Sequence, residues 1–162
     1  MNNAFKNESA DPFRALYDEL QATVRAVAFR MVGADDVDDV VQMSFVKIWR
    51  NQKKYRAESS SKTWAYRITV NTAIDHLRKR KRQPLPLFPT TAEGSVASHE
   101  NKIATADLIE KALATLSAEH RAVLTLQAFE NLDTGSIAAI LQIAPGTVNS
   151  RASRARKHLA EY

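Results

Sequence analysis

The sequence KTWAYRITVNTAIDHLRKRKRQPLPLFP, residues 62–89, contains the signals that decide the fold. Its apolar residues recur at helical spacing and would form one buried side of a helix, comprising Tyr66, Val70, Ala73, Ile74 and Leu77. Four residues fall on a different side and should face solvent as a polar ridge, comprising Trp64, Asn71, Asp75 and Arg78. Five consecutive cations, 78–82, and a segment with three prolines follow. We therefore predict an amphipathic helix that ends near residue 82 and a linker at 83–99.

Two more amphipathic helices precede this stretch. Apolar residues from Phe13 to Met31 recur at helical spacing, and Gly33 supplies a stop. The next helix is predicted to begin with the acidic residues of 35–39, which suit the positive end of a helix dipole. The polar segment 51–62 lacks periodicity and is predicted to be a loop.

Shorter helices are predicted beyond the linker. They cover 102–116, 118–129 with Ser117 as N-cap, 134–141 with Asp133 as N-cap, and 145 to the end. The last two are joined by about four residues, the spacing of a helix-turn-helix, in which Ala138 would lie at the helix crossing. We therefore predict an all-α protein with two small helical domains, 1–82 and 100–162, joined by the proline-rich linker 83–99.

The last helix has two chemically different sides. The inner side comprises Val148, Ala152, Ala155 and Leu159. The outer side comprises Thr147, Ser150, Arg151 and Arg154. Short hydroxyls can bond phosphates or base edges, and an arginine can donate two hydrogen bonds to guanine. A surface of solvated arginines is the simpler alternative, but the hydroxyls, the arginines, the short turn and the capped preceding helix together favour DNA binding.

Charge supports a polyanionic partner. The 162 residues carry a formal charge of +5. Residues 1–83 contain sixteen Lys and Arg against ten Asp and Glu, whereas 84–162 contain seven against eight, four of the seven lying within 151–157. Two separate basic regions result. The absence of cysteine excludes disulfides and thiolate metal sites. No signal peptide or membrane-spanning run is evident, so we expect a cytoplasmic protein.

Three ordered motifs carry a resemblance to a known family. DDVVQMSFVKIWRN at 38–51, YRAESSSKTWAYRITVNTAIDHLRKRKR at 55–82 and IAPGTVNSRASRARKHL at 143–159 are similar to motifs of σ70-family initiation factors of the extracytoplasmic-function (ECF) group. The resemblance spans nearly the whole chain. It implies two helical domains that dock on the clamp coiled coil and flap of core RNA polymerase and contact the promoter near −10 and −35. It also implies an anti-sigma partner and no cofactor.

The resemblance assigns roles to particular residues. It implies −10 contacts for Ser59, Ser60, Ser61, Lys62, Trp64, Arg67, Asn71 and Arg78. It implies −35 contacts for Thr147, Ser150, Arg151 and Arg154. It implies polymerase contacts for Asp39, Val40, Gln42, Phe45, Trp49 and Arg50. By the same analogy, the apolar linker would thread toward the RNA exit channel or pack against an inhibitor.

Some of these roles have alternatives at the level of the sequence. The alternative role of Trp64 is that of a core or interdomain anchor, and Asp75 is better suited to orient Arg78 or Arg67 than to face phosphate. The alternative for Phe45 and Trp49 is that both are buried inside the domain, and we expect that one of them is. The sequence also departs from the family pattern at four positions, which are Met43 for Glu, Ala57 for Gly, Gln142 for Gly and Asn149 for Lys.

Three other classes of function are alternatives at the level of the sequence. A free-standing DNA-binding regulator would leave the motifs of the first half unexplained. An enzyme acting on DNA needs a nucleophile or a metal cluster, but the four histidines, His76, His99, His120 and His158, are scattered, so we expect no catalysis. A purely protein-binding module is compatible with an initiation factor that has an inhibitory partner.

Overall fold

The computed structural model describes residues 12–55, 59–82 and 100–162. Within these ranges the α-helices are α1 (Pro12–Val32), α2 (Val37–Asn51), α3 (Ser61–Arg82), α4 (Glu100–Ala114), α5 (Ala118–Leu124), α6 (Thr134–Leu141) and α7 (Pro145–Ala160). No strand occurs among the described residues, and the all-α prediction is confirmed. The predicted linker 83–99 lies outside the described residues, as do 1–11 and 56–58, which include Ala57.

Local sequence signals set most helix ends. Gly33 adopts a φ of +82°, which a residue with a side chain rarely tolerates, and its N–H donates to the Phe29 carbonyl at 2.8 Å. The predicted caps are confirmed: Ser117 accepts from the His120 N–H at 3.3 Å, and Asp133 accepts from the Ser136 N–H at 3.0 Å. Fewer acidic residues lie in the first turn of α2 than predicted. The helix begins at Val37, so Asp38 and Asp39 lie in its first turn, whereas residues 35 and 36 precede it.

The predicted single helix 118–129 is instead two segments. Its α-helical part ends at Leu124, and Thr125–Phe129 form a π-helical turn. The Glu130 N–H donates to the Thr125 carbonyl at 3.3 Å, an i to i−5 bond that widens the helix. The segment then ends at Asn131, whose φ is +54°. Such a widened turn shifts the direction of the following side chains relative to a regular α-helix.

Helices α1, α2 and α3 form the first bundle, and α5, α6 and α7 form the second. One core cluster lies within the first bundle, comprising Leu20, Val24, Phe45, Ile48 and Ala65. A smaller cluster lies within the second half, comprising Leu113, Leu116, Leu124 and Ala155. Each half thus has apolar packing of its own.

The largest core cluster is shared by the two halves. From the first half it includes Val27, Met31, Val40, Tyr66, Val70 and Ala73. From the second half it includes Ala122, Val123, Leu126, Ile137, Ile140, Val148 and Ala152. The two bundles therefore pack against each other in this structure, an arrangement that we call the packed state.

Polar contacts surround this shared core. The Arg30 guanidinium donates to Glu130 Oε1 at 2.9 Å, and the Tyr66 hydroxyl donates to Glu130 Oε2 at 2.7 Å. Arg121 is buried and donates to the Met31 carbonyl at 2.6 Å, at the carboxyl end of α1. Burial lowers the pKa of Arg121 and raises the pKa of Tyr66, which the hydrogen bond to Glu130 raises further. The packed state is therefore specified by polar groups as well as by apolar contact.

Candidate nucleic-acid and polymerase interfaces

The polar ridge lies along α3 largely as predicted. Asn71, Asp75 and Arg78 are exposed. Asp75 lies 3.9 Å from the Lys47 ammonium on α2, so the expectation that it orients Arg78 or Arg67 is wrong. Arg78 instead donates to Glu119 at 2.7 Å. Between Trp64 and Arg78 the ridge extends about 21 Å at 1.5 Å per residue, the length of about six stacked nucleotides.

Trp64 does not face solvent with the other residues of the ridge. Its side chain is half-buried and packs against the core cluster of the first bundle. Its ring also stacks on Tyr55, with 4.9 Å between ring centroids and 25° between ring planes. The prediction of an exposed tryptophan is therefore wrong, and the core-anchor alternative describes its surroundings.

The segment before α3 is held by side-chain contacts within the chain. Ser60 is the effective cap of α3, because its Oγ accepts from the Thr63 N–H at 3.1 Å. The Ser61 hydroxyl donates to Glu19 at 2.5 Å, and the Tyr55 hydroxyl bonds the Ser59 carbonyl. Lys62 is exposed, with its Nζ 5.8 Å from the Tyr66 ring centroid. The structure thus brings four predicted −10 residues, 59–62, together at the start of α3, next to the Tyr55–Trp64 pair.

Helices α6 and α7 form the predicted helix-turn-helix. Ile137 and Ala138 on α6 and Val148 on α7 are buried where the helices cross. Gln142 adopts the left-handed conformation, with φ 56° and ψ 46°, in the turn. The departure from glycine therefore leaves the turn geometry in place, at the cost of a strained residue.

The predicted outer side of α7 is at the surface. Ser150 and Arg154 are exposed, whereas Thr147 and Arg151 are half-buried. The Ser150 hydroxyl donates to the Thr147 carbonyl at 3.0 Å. Arg151 borders a cleft of about 440 Å³ that is also lined by Asn71, Asp75, Arg78 and Glu119. The structure thus brings parts of the two predicted DNA surfaces to one cleft.

The predicted polymerase face of α2 is exposed only in part. Asp39, Gln42, Trp49 and Arg50 are exposed, and the Trp49 side chain is the most open large apolar group on this helix at 57% exposure. Val40 is fully buried, so its assignment as a contact residue is corrected: it supports the helix from the shared core.

Phe45 is also buried, at 7% exposure, and its ring lies 4.5 Å from that of Tyr17. Of the aromatic pair on α2, only Trp49 is therefore available to a partner. It borders a cleft of about 540 Å³ between α1 and α2, together with Tyr17 and Val46. The predicted polymerase contacts omit Met43 and Val46. Met43 lies three residues before Val46, and Val46 three before Trp49, a spacing that marks a second apolar stripe, and both are exposed.

Possible metal ligands and membrane-spanning helices were sought in the same parts of the chain. Among the residues that the structure describes, no group of three or more His, Asp or Glu side chains is arranged to hold a metal ion. His76 lies 3.3 Å from Asp36, a contact between α3 and the start of α2. None of the described helices combines the length and apolarity needed to cross a membrane.

Comparison with known proteins identifies both halves. Residues 16–83 match the Sigma-70 region 2 family, and residues 106–159 match the Sigma-70 region 4 family. The ECF RNA polymerase sigma-E factor of Haemophilus influenzae is 34% identical over 159 residues, covering 90% of this chain and 84% of the relative. The corresponding factor of Escherichia coli K12 is 32% identical over 158 residues, covering 90% and 83%.

Solved structures agree with the sequence relatives. The sigma factor RpoE from Bartonella quintana, solved in complex with the anti-sigma factor NepR, shares 29% identity with a TM-score of 0.68, covering 92% of this chain and 94% of that chain. CnrH, solved with the cytosolic domain of CnrY, has a TM-score of 0.66 at 23% identity, covering 92% and 85%, and supports the fold. The chain therefore belongs to the ECF group of the σ70 family, whose members are RNA polymerase sigma factors that act in transcription initiation.

Proposed function

We propose that this sigma factor uses its two halves on two promoter elements. Residues 1–82 act as the region 2 domain, which binds core polymerase and opens the −10 element, and residues 100–162 act as the region 4 domain, which binds the −35 element. Residues 83–99 join them. The observation that carries this proposal is that each half presents an exposed basic and polar helix face, on α3 and on α7, within the part that matches the corresponding family region.

The outer side of α7 is proposed to enter the major groove of the −35 element. Arg154 is exposed and can donate two hydrogen bonds to a guanine, and Ser150 can bond a phosphate or a base edge beside it. Thr147 lies in the first turn of α7, where backbone N–H groups favour a phosphate. Arg151 is half-buried and completes the contact once the cleft that it shares with α3 opens.

The start of α3 is proposed to hold an unpaired base of the −10 element. The base would lie beside residues 59–62, which are Ser59, Ser60, Ser61 and Lys62. The stacked Tyr55–Trp64 pair next to them offers an aromatic surface. A base stacked on such a surface gains about 1–3 kcal/mol. Asn71 can donate to and accept from a base edge, while Arg67 and Arg78 can bind the backbone.

The exposed face of α2 is proposed to dock on the polymerase clamp. Trp49 is the central anchor because it combines a large ring with 57% exposure beside an apolar cleft. Asp39, Gln42 and Arg50 supply the polar rim, and Phe45 supports the cleft from within.

Simultaneous contact with both elements requires the halves to separate. The −10 and −35 elements are about 25 base pairs apart, or about 85 Å at 3.4 Å per pair. A packed chain of 162 residues has an expected radius of gyration of about 15 Å and hence a diameter of about 40 Å. The linker of 17 residues can extend to about 60 Å, which is more than the difference between the promoter distance and the diameter of the packed chain. We therefore propose that the packed state is the form of the free chain.

An anti-sigma factor is proposed as the regulator of this chain. The similarity to RpoE in its complex with NepR supports such a partner. It would act by covering the α2 face or by holding the halves together. Because initiation takes place on chromosomal DNA with polymerase, we propose a cytoplasmic location, a role without catalysis of its own, and no cofactor.

Run-off transcription with core polymerase and a genomic promoter library tests the proposal. The wild-type chain should confer start-site selection that core polymerase lacks. Arg154→Ala should lower initiation from duplex promoters, with a loss of about 1–3 kcal/mol if the contact with guanine has two hydrogen bonds. Asn71→Ala should impair opening, so its defect should shrink on a promoter melted beforehand.

Arg14→Ala is the matched control, because Arg14 is an exposed arginine on α1 that pairs with its neighbour Asp18 and lies outside the proposed DNA surfaces. It should behave as wild type. If the wild-type chain bound duplex DNA but never joined core polymerase, the chain would be a free-standing regulator and the proposal would fail.

A further inference from the structure

Glu119 lies between the two proposed DNA surfaces. It is in the first turn of α5, and its Oε1 accepts from Arg78 Nη2 on α3 at 2.7 Å. The side chains remain open to solvent, with 56% of Arg78 and 32% of Glu119 exposed. Glu119 and Arg78 border the same cleft as Asn71 and Arg151. The carboxylate thus lies in a cleft where residues assigned to −10 and to −35 meet.

The electrostatic surroundings of Glu119 come from both halves. The pKa of its carboxyl is lowered, first by the hydrogen bond from Arg78 and more weakly by the charges of Arg78 and Arg151. The carboxylate therefore bonds Arg78 from one proposed DNA surface and shares a cleft with Arg151 from the other. A guanidinium recognises carboxylate and phosphate through the same N–H groups, so a given donor of Arg78 cannot serve both at once.

We propose that Glu119 is an internal competitor of DNA phosphate, which keeps the two proposed DNA surfaces from binding DNA while the free chain is in the packed state. This inference rests on the proposed function, because it takes Arg78 and Arg151 as DNA-binding residues. When polymerase and promoter draw the halves apart, Glu119 leaves Arg78, and the guanidinium becomes available to the backbone. Nonspecific DNA binding by the free chain is thereby reduced, at the cost of one exposed ion pair that breaks when the complex assembles.

Binding of two probes to the free chain tests this proposal. The probes are a fluorescein-labelled dT20 strand and a labelled 20-base-pair duplex of arbitrary sequence, measured by fluorescence anisotropy across salt concentrations. Glu119→Gln should raise affinity for dT20 about two- to fivefold, a modest factor because exposed ion pairs are weak. The slope of log affinity against log salt should steepen by about 0.7, the value for one added phosphate contact on a single strand.

Two variants separate competition from net charge. Glu119→Asp keeps the charge but shortens the side chain, so it should also raise affinity. Asp107→Asn removes the same charge from an exposed site on α4 that is paired with Lys111, and it should leave the salt slope unchanged. The gain from Glu119→Gln should vanish in an Arg78→Ala background. Circular dichroism checks that each variant is folded.

The outcomes distinguish this inference from the proposed function. Glu119→Gln should support run-off transcription by the polymerase complex at least as well as wild type, because the halves are then apart and the Arg78–Glu119 ion pair no longer has to break. If wild type supports transcription but neither Glu119 variant raises probe affinity, the competition is refuted and the proposed function stands. If Asp107→Asn matches Glu119→Gln in affinity and slope, only net charge matters and the competition is refuted. If Arg78→Ala impairs neither probe binding nor transcription, the proposed role of Arg78 fails.

Discussion

Removing the Tyr66 hydroxyl should destabilise the whole chain, because that hydroxyl ties the first half to the second. In Tyr66→Phe the ring, only 3% exposed, stays in the shared core, and the change is confined to the hydrogen bond donated to Glu130 at 2.7 Å. Hydrogen bonds to charged groups contribute about 1.5–3 kcal/mol. Arg30 still holds the other oxygen of Glu130, so we expect a loss of about 1.5–2 kcal/mol in the free energy of unfolding.

Urea denaturation followed by circular dichroism measures this loss, and a double-mutant cycle isolates its source. In a Glu130→Gln background the acceptor is neutral, so Tyr66→Phe should cost less, about 0.5–1.5 kcal/mol. Tyr17→Phe is the control on a tyrosine at the surface of α1, and it should change stability by less than about 0.5 kcal/mol.

The dependence on pH gives a second readout. Burial, and then the hydrogen bond to Glu130, raise the pKa of Tyr66 above its ordinary value of 10.0. The folded chain therefore holds the phenolic proton more tightly than the unfolded chain, and this contribution is complete below about pH 10 and lost as pH rises further. Wild type should lose more stability than Tyr66→Phe above about pH 10. Equal stability of the two proteins, unchanged through this range, would refute the hydrogen bond and its role between the halves.

Three further predictions concern α2, the turn before α7 and Glu119. Trp49→Ala should lower affinity for core polymerase at least about tenfold and change stability by less than about 0.5 kcal/mol. Phe45→Ala should instead cost about 3–5 kcal/mol of stability. A polymerase titration measures the first effect, and urea denaturation measures the second. Gln142→Gly should raise the free energy of unfolding by about 0.5–1 kcal/mol, because relief of about 1–2 kcal/mol of left-handed strain exceeds the entropic cost of glycine, and no gain in a urea titration would contradict this. The pKa of Glu119 is lowered, first by the hydrogen bond from Arg78, so its contribution to stability is present above its ordinary pKa of 4.5 and is lost as pH falls through the lowered value. The stability difference between wild type and Glu119→Gln should therefore shrink from about pH 5 toward pH 3 in urea titrations, and a constant difference would argue against the ion pair.

Features that depend on neighbours in the chain could be predicted from the sequence. Gly33, Ser117 and Asp133 end or begin helices through contacts with residues three or four positions away, and the residue types alone indicate them. The two sides of α7 were predictable for the same reason, because helical spacing determines which residues lie on the same side of a helix. Val148 is buried and Arg154 exposed, as that spacing indicates.

Features that depend on distant pairings could not be predicted in this way. Glu130 meets Arg30 across 100 residues, and no periodic pattern relates them. Helical spacing predicts that Trp64 belongs to the exposed ridge, but its ring is covered by Tyr55, which lies in the predicted loop 51–62, outside the helix. The family motif predicts Val40 at the surface. In the structure, residues of the second half pack into the same core cluster and bury it.

The shared core has a consequence for how affinity for polymerase is set. Because the proposed complex requires separated halves, any free energy that holds the halves together is subtracted from the free energy of assembly. Residues such as Ala122 and Ile137, which touch neither DNA nor the α2 face, therefore tune the apparent dissociation constant of the complex. Weakening their packing by about 1.4 kcal/mol would tighten assembly about tenfold while each half stays folded, so variants selected for stronger promoter activity should arise in this interior as well as on the interaction surfaces.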